Sequence, residues 1–294
     1  MDMRQLQRFV AVVDNGSFNR ASEALAVSQP SLTRSIQLLE GTLEAPLFER
    51  GPRGIVLTPG GEELLPRARL ILAERDRALA ALRSLTGKRA QTISIGADAS
   101  FSMQRLPVAL ARLAITHPMV HVTVKEGPLS EMLDLLREGA VTLVCGARGP
   151  LLDLGELEFR PLATERAGVI LRADHPQARA RRIRLQDLKA DRWIVPDHPA
   201  LEEGWRTIFR DADLPAPPIA LRTSSLHVVK GCLLSGPFVS LGDPSSFAEE
   251  ISAGRLVCLD TGALRYERPV GVFRRPGIKP SETERALSRL LQSS

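Results

Sequence analysis

The sequence predicts a mixed fold in three parts: a small helical module ending in a two-stranded wing, one long helix, and a two-lobed α/β domain. Three observations carry this. The first 45 residues hold three amphipathic stretches separated by minimal turns, Leu65, Leu72 and Leu79 recur every seven residues, and from Thr92 strand-like and helix-like segments alternate. With 294 residues the chain can build a small module and a larger domain with its own core.

Met3 to Asp14 is the first helix, with Leu6, Phe9, Val10 and Val13 on one face. Asn15-Gly16 ends it, and Ser17 can cap a second helix to about Ala26, in which Phe18, Ala21 and Leu25 point inward. Val27-Ser28 then links tightly into SQPSLTRSIQLLEGTL. Ser28 suits an N-cap, and Pro30 falls in the first turn, where its missing N–H costs nothing. Leu32, Ile36, Leu39 and Leu43 make the inward stripe, while Gln29, Ser31, Thr33, Arg34 and Gln37 form a polar edge able to bond base edges or phosphates. Two short helices joined by a minimal turn, the second with a polar leading edge, describe a helix-turn-helix.

Leu47-Phe48 and Ile55-Val56-Leu57 flank a Gly-, Pro- and Arg-rich turn, the pattern of a β-wing with Arg50 and Arg53 available to phosphates. Net charge is +5, yet within residues 1–58 six arginines are offset by six carboxylates. Such a module binds through placed contacts and multiplicity and not through bulk charge.

The stretches FVAVVDNGSFNRASEALAVSQPSLTRSIQLLE and PLFERGPRGIVLTPGG resemble the N-terminal domain of LysR-type transcriptional regulators, nearly without gaps over residues 1–60. The resemblance implies that Ser28, Gln29, Pro30, Ser31, Thr33 and Arg34 lie at or in the major groove of double-stranded operator DNA, with Arg50 and Arg53 on the wing. Glu44 departs from the family, which usually ends this helix on glycine, so Glu44 must bear a left-handed conformation or close the helix differently.

Thr58-Pro59-Gly60-Gly61 can start a helix to about Thr86, whose Leu65, Leu72 and Leu79 seam suits a coiled-coil contact with a second copy. An intramolecular packing face is the other reading of the same leucines. In the resembled family this helix pairs antiparallel between two chains. Gly87 to Gln91 reads as a hinge.

In the third part, TISIGA, VHVTVKE, VTLVCGA, RAGVILR, RWIVP, IALRT, PFVSLG and PVGVFRR read as strands. Helices are expected at 106–115, 131–137, 201–211, 225–234 and 282–291, and the alternation implies parallel βαβ units. ISIGADASF, HPMVHVTVKEGP, LREGAVTLVCGA and LRADHP resemble, more weakly, the effector domain of the same regulators, whose fold is that of type 2 periplasmic solute-binding proteins. The expected boundaries are 1–58 for the winged helix-turn-helix, 59–87 for the linker helix and 88–294 for the effector domain. Lobe I spans about 92–163 and 268–294, and lobe II about 164–267.

Ligands of α/β sheets bind beyond the carboxyl ends of strands, where helix N-termini offer N–H groups. That rule selects Ser100, Phe101 and Ser102 after the first strand, Gly127, Pro128 and Leu129 after the second, and Arg148 after the third. In lobe II it selects His198 and Pro199, and Thr223, Ser224 and Ser225. Singly these are caps and loop residues; together they favour a small anion or other polar metabolite as effector, an organic acid being one such class.

Other chemistry lacks an anchor. His117 and His121 have helical ligand spacing, but Pro118 and the strand pattern after it remove the helix, so no metal is expected. No GxSxG, Walker or GxGxxG motif occurs, so neither an enzyme nor a cofactor is expected. Cys145, Cys232 and Cys258 read as reduced structural thiols. No apolar run approaches the ~20 residues that span a bilayer, which points to the cytoplasm and away from membranes. The resemblance further implies homodimers joined into a homotetramer, with RNA polymerase as a partner if the protein activates. A ligand-independent repressor with a vestigial pocket is the alternative.

Overall fold

The computed structural model describes residues 1–51, 54–85, 91–149, 152–180, 183–195, 197, 199–259 and 267–292. Helix α1 (Met3–Asn15) opens on a reciprocal cap: Asp2 Oδ1 accepts the Gln5 N–H at 2.8 Å, and Gln5 Oε1 accepts the Asp2 N–H at 2.8 Å. Gly16, at φ 67°, ends it in the left-handed region. The Ser17 hydroxyl accepts the Arg20 N–H at 3.1 Å and starts α2 (Phe18–Ala24). The turn into α3 (Gln29–Leu43) passes through Ala26 at φ 52°, a left-handed non-glycine. Strands β1 (Phe48–Gly51) and β2 (Gly54–Leu57) form the antiparallel wing, with Phe48 opposite Leu57 and Arg50 opposite Ile55.

The helices hold one core. Leu6, Phe9, Ile36, Leu39 and Leu47 are each at most 2% exposed, and Phe48 packs its ring 5.4 Å from Phe9 and 5.7 Å from Phe18. Helix α4 (Pro59–Leu85) joins that core through Ala68, flanked by Leu64, Leu65, Ile71 and Leu72. Thr58 fixes the junction: its hydroxyl donates to the Pro46 carbonyl and accepts the Gly61 N–H at 3.1 Å. A Cβ on Gly61 would stand 2.3 Å from the Leu47 carbonyl oxygen, so only glycine lets the helix start this close to the wing.

The remaining chain builds two five-stranded sheets. The first contains β3 (Gln91–Ala97), β4 (Val120–Glu126), β5 (Leu143–Ala147), β6 (Glu158–Arg166) and β12 (Glu267–Arg274), in the order β4-β3-β5-β12-β6. The second contains β7 (Gly168–Arg172), β8 (Arg192–Val195), β9 (Ile219–Arg222), β10 (Phe238–Gly242) and β11 (Leu256–Leu259), in the order β11-β7-β10-β8-β9. Helices α5 (Ala99–Met103), α6 (Arg105–Thr116), α7 (Leu129–Arg137), α8 (Pro199–Asp211), α9 (Leu226–Ser235), α10 (Ala248–Ser252) and α11 (Glu282–Gln292) connect and cover them. The second sheet is anchored by Trp193, Trp205 and Phe209, all within 5.7 Å of one another by ring centroid.

By backbone proximity the chain divides into two compact units. One is Met1–Ser94 with Met119–Thr123 and Leu133–Thr142; the other is Ile95–Pro118, Val124–Met132 and Leu143–Ser294.

The return of the chain to the first lobe is seen directly, since β12 pairs with β5 and β6. It does so antiparallel, so the expectation of parallel βαβ units holds for β3 with β5 and for β8 with β9 and β10, but not for the whole of either sheet. Strand β6 was not expected: EFRPLATER is an edge strand, mostly exposed and charged, which erases the apolar alternation. Strand β11 has only four residues, too few to show a period. Helix α5, only five residues long, was also unexpected.

Candidate functional site

Two sites stand out, one on each end of the sequence. On α3, the inward stripe is sealed, with Leu32 and Leu39 at 0% and Ile36 at 2% exposure. That leaves Ser28, Gln29, Pro30, Ser31 and Arg34 exposed on the N-terminal edge, with Thr33 half-buried beside them. Gln29 Nε2 donates to Thr33 Oγ1 at 3.1 Å, which preorganises the amide on the outer face. Ser28 occupies the N-cap position but its hydroxyl makes no cap bond. The helix end falls to Glu44 at φ 54°, ψ 29°, so the chain does accept the left-handed turn without glycine. Glu40 Oε1 accepts the Leu47 N–H at 2.8 Å and the Phe48 N–H at 3.4 Å, tying the wing to the helix that would enter a groove. Arg50 lies on β1, and Arg53 lies outside the described residues.

The second site is a cavity of about 540 Å³ in the α/β unit, lined from both lobes. Ser100, Pro128, Leu129, Thr223 and Ser224 line it as expected, together with Gly127 and Ser225. Phe101 and Ser102 do not. Asp98 caps α5 by accepting the Phe101 N–H at 2.8 Å; the Phe101 ring lies in the core at 2% exposure, and the buried Ser102 hydroxyl has no hydrogen-bond partner among the described residues. Arg148 also misses the cavity; its guanidinium lies over the Phe159 ring, 5.7 Å from the centroid. His198 lies outside the described residues.

The wall is rich in carboxylates. Asp98, Glu126, Asp197 and Asp243 all line it, and none of the four forms an ion pair among the described residues. The one lysine or arginine among the described lining residues is Arg268, which is already engaged: its Nε and Nη2 donate to Glu165 Oε2 at 3.1 and 3.0 Å. Burial pushes the Glu165 carboxyl above its usual range; Arg268 opposes that, and Asp243 and Asp98 reinforce it. Gln104 adds a link between the lobes, donating to the Ser246 hydroxyl at 2.6 Å and accepting from Ser245.

The missed carboxylates follow a rule. Asp98 comes directly after β3, Glu126 ends β4, Asp197 lies just beyond β8, and Asp243 comes directly after β10. The principle that selected the neighbouring serines and threonines also covers these positions.

On α4, the seam divides. Leu65 and Leu72 are half-buried against the N-terminal core, the intramolecular reading, while Leu79 and Leu82 are 43% and 62% exposed. His117 closes α6 and His121 sits on β4, so the pair does not share a helix. Cys145 is fully buried, and burial pushes its thiol up, away from the reactive thiolate.

Comparison with known proteins agrees with both halves. The family model described as bacterial regulatory helix-turn-helix protein, lysR family, matches residues 3–62, and that described as LysR substrate binding domain matches residues 86–294. The SDS degradation transcriptional activation protein of a Pseudomonas strain is 32% identical, covering 99% of this chain and 95% of that protein. The HTH-type transcriptional regulator CbbR of Rhodospirillum rubrum is 27% identical, covering 99% and 96%. Among solved structures, a full-length OxyR variant from Pseudomonas aeruginosa shares the fold with a TM-score of 0.72 at 22% identity, covering 99% of this chain and 95% of that one. Full-length CbnR, solved with its target DNA, shares it with a TM-score of 0.69 at 22% identity, covering 100% and 99%. The chain belongs to the LysR family: it is a transcriptional regulator that joins a helix-turn-helix to an effector-binding domain.

Proposed function

We propose that residues 1–58 read an operator with dyad symmetry, that residues 59–87 hold copies of the chain together, and that residues 88–294 sense a small molecule. Ser28, Gln29, Pro30, Ser31, Thr33 and Arg34 face the major groove, and Arg50 and Arg53 lie along the phosphates. Ser100, Pro128, Leu129, Thr223 and Ser224 contact the effector. The protein works as a homodimer or homotetramer in the cytoplasm without catalysing a reaction, and contacts RNA polymerase where it activates. Exposed Leu79 and Leu82 on α4, and Ile115 at 80% exposure on α6, support assembly through both domains. CbnR, which shares the fold, binds target DNA, and no helix among the described residues is long and apolar enough to cross a membrane.

The observation that carries this reading is the cavity lined from both lobes. A ligand seated there binds the closed arrangement more tightly than the open one, and so shifts the population between two arrangements of the DNA-binding modules. The test is thermal unfolding against a panel of metabolites, since a ligand of the folded state raises stability by mass action. A reproducible, concentration-dependent rise that is lost when the cavity is filled by Ser224→Trp supports the reading. A rise that persists in that variant would place the ligand elsewhere and overturn it.

A further inference from the structure

We propose that the ligand recognised in this cavity carries a protonated amine or guanidinium on an apolar body, and that the cavity selects against carboxylates. The proposal rests on the reading of the cavity as the effector site. Four carboxylates reach the wall from four different strand ends, two per lobe: Asp98 and Glu126 from the first, Asp197 and Asp243 from the second. A group bound among them is therefore contacted from both lobes at once, which is what a ligand-driven closure requires.

Asp243 is the sharpest indicator. Its residue is 8% exposed, its Oδ1 accepts the Ser245 N–H at 2.9 Å, and among the described residues its Oδ2 has neither a hydrogen bond nor an ion pair. Asp243 is one of the residues that line the cavity. A carboxylate left this buried without a counter-charge is costly unless a cation comes to it. Arg268, whose Nε and Nη2 donate to Glu165, forms no ion pair with Asp243 among the described residues. Desolvation and the fields of Asp243 and Asp98 raise the Glu165 pKa, a sign that negative charge is crowded at this end of the cavity.

Two features favour an anion and are weaker. The N-termini of α7 and α9 open on the wall, each worth about half a unit of positive charge. At α9 the Ser225 hydroxyl already accepts the Val228 N–H, at 3.4 Å. Asp98 already accepts the Phe101 and Ala147 N–H groups, at 2.8 and 2.9 Å, but none of the four carboxylates forms an ion pair among the described residues, so two such termini leave the wall negative. Between the charged groups, Leu129, Leu152, Leu226, Val229 and Phe247 supply apolar wall, so the cation is expected on a hydrocarbon or aromatic frame.

The experiment pairs ligands by skeleton: primary amines, diamines and guanidines against carboxylates, with phenethylamine against phenylacetate and 1,4-diaminobutane against butanedioate among them. Thermal shift and calorimetric titration are read on the full chain, on Asp243→Asn, which keeps the acceptor for the Ser245 N–H, and on the exposed Glu126→Gln. Amines are expected to stabilise the protein in a dose-dependent way with Kd values at least about tenfold below those of their paired acids, and each variant to weaken them about tenfold or more. Binding of the acids as tight as that of the amines, or amine binding untouched by both variants, would overturn the proposal while the effector reading stands. No response to either charge class would also overturn the proposal, and the effector reading would then stand or fall on the wider metabolite panel.

Discussion

Glu165 Oε2 accepts two N–H groups of Arg268, at 3.1 and 3.0 Å, and the Glu165 side chain is only 6% exposed. The pair sits where β6 and β12 run side by side, with Glu165 opposite Arg268 in the register, so the sheet itself brings the two charges together. Removing Arg268 leaves a buried carboxylate without its partner. Arg268→Met is expected to cost about 3 kcal/mol, read by denaturant unfolding, and Glu165→Gln in the same chain to recover most of it. The sign with pH is fixed by burial, which raises the Glu165 pKa above the ordinary 4.5. The favourable contribution of the protonated form is complete below 4.5 and is lost as pH rises through the raised value; Arg268 holds that rise back, so without it the carboxyl is raised further and the Arg268→Met deficit grows with pH. A deficit that shrinks on raising the pH would contradict this.

Glu202 behaves in the opposite sense. Arg222 donates to it at 2.6 and 3.0 Å and Arg206 at 2.7 and 3.1 Å, and these bonds lower its pKa from 4.5 to about 2. A depressed pKa stabilises the fold above 4.5, and that stabilisation is lost as pH falls from there through about 2. Glu202→Gln should therefore melt lower than the parent at neutral pH, with the gap narrowing between pH 4.5 and 2. Melting curves across that range decide it.

Glu44 pays a local strain at φ 54° because it ends α3 in the left-handed region with a full side chain. Glycine removes the Cβ clash, which costs roughly 1–2 kcal/mol, and gives back part of that gain as unfolded-state entropy. Glu44→Gly is expected to raise stability by about 0.5–1 kcal/mol, measured by chemical denaturation. A destabilised variant would mean that Glu44 makes a contact worth more than the strain.

Leu79 and Leu82 are exposed on the C-terminal half of α4, whereas Leu65 and Leu72 serve the core of their own chain. Asp at both exposed positions should lower the oligomeric state seen by light scattering while leaving the circular dichroism spectrum unchanged. An oligomer that survives the double substitution would move the interface off this helix.

The helix-turn-helix was legible because its signals are local: a cap at Ser17, a glycine stop at Gly16, and the 3.6-residue stripe of Leu32, Ile36 and Leu39. The effector lobes were less so. Edge strand β6 hides behind charged residues, and the antiparallel return of β12 is a long-range pairing that no local pattern encodes. Within the cavity, the strand-end rule found Ser100, Pro128, Leu129, Thr223 and Ser224 but overshot at Phe101 and Ser102, whose ring and hydroxyl are buried on α5. The carboxylates escaped because an acidic residue at a strand end reads as an ordinary cap or surface charge until the other three stand around the same space. Leu65 shows the same limit: a heptad tells which face of a helix is apolar, not whether the partner is another chain.

The most direct measurement is selection of bound sequences by the full chain from a pool of random duplexes, followed by titration of the winner with Arg34→Ala. The expected result is one enriched motif with dyad symmetry. Arg34→Ala, which is exposed and touches no core residue's place, should then lose about tenfold or more in affinity for that motif while melting as the parent does. No enrichment, or undiminished affinity of the variant for the selected motif, would contradict the assignment of the α3 N-terminal edge as the surface that reads DNA.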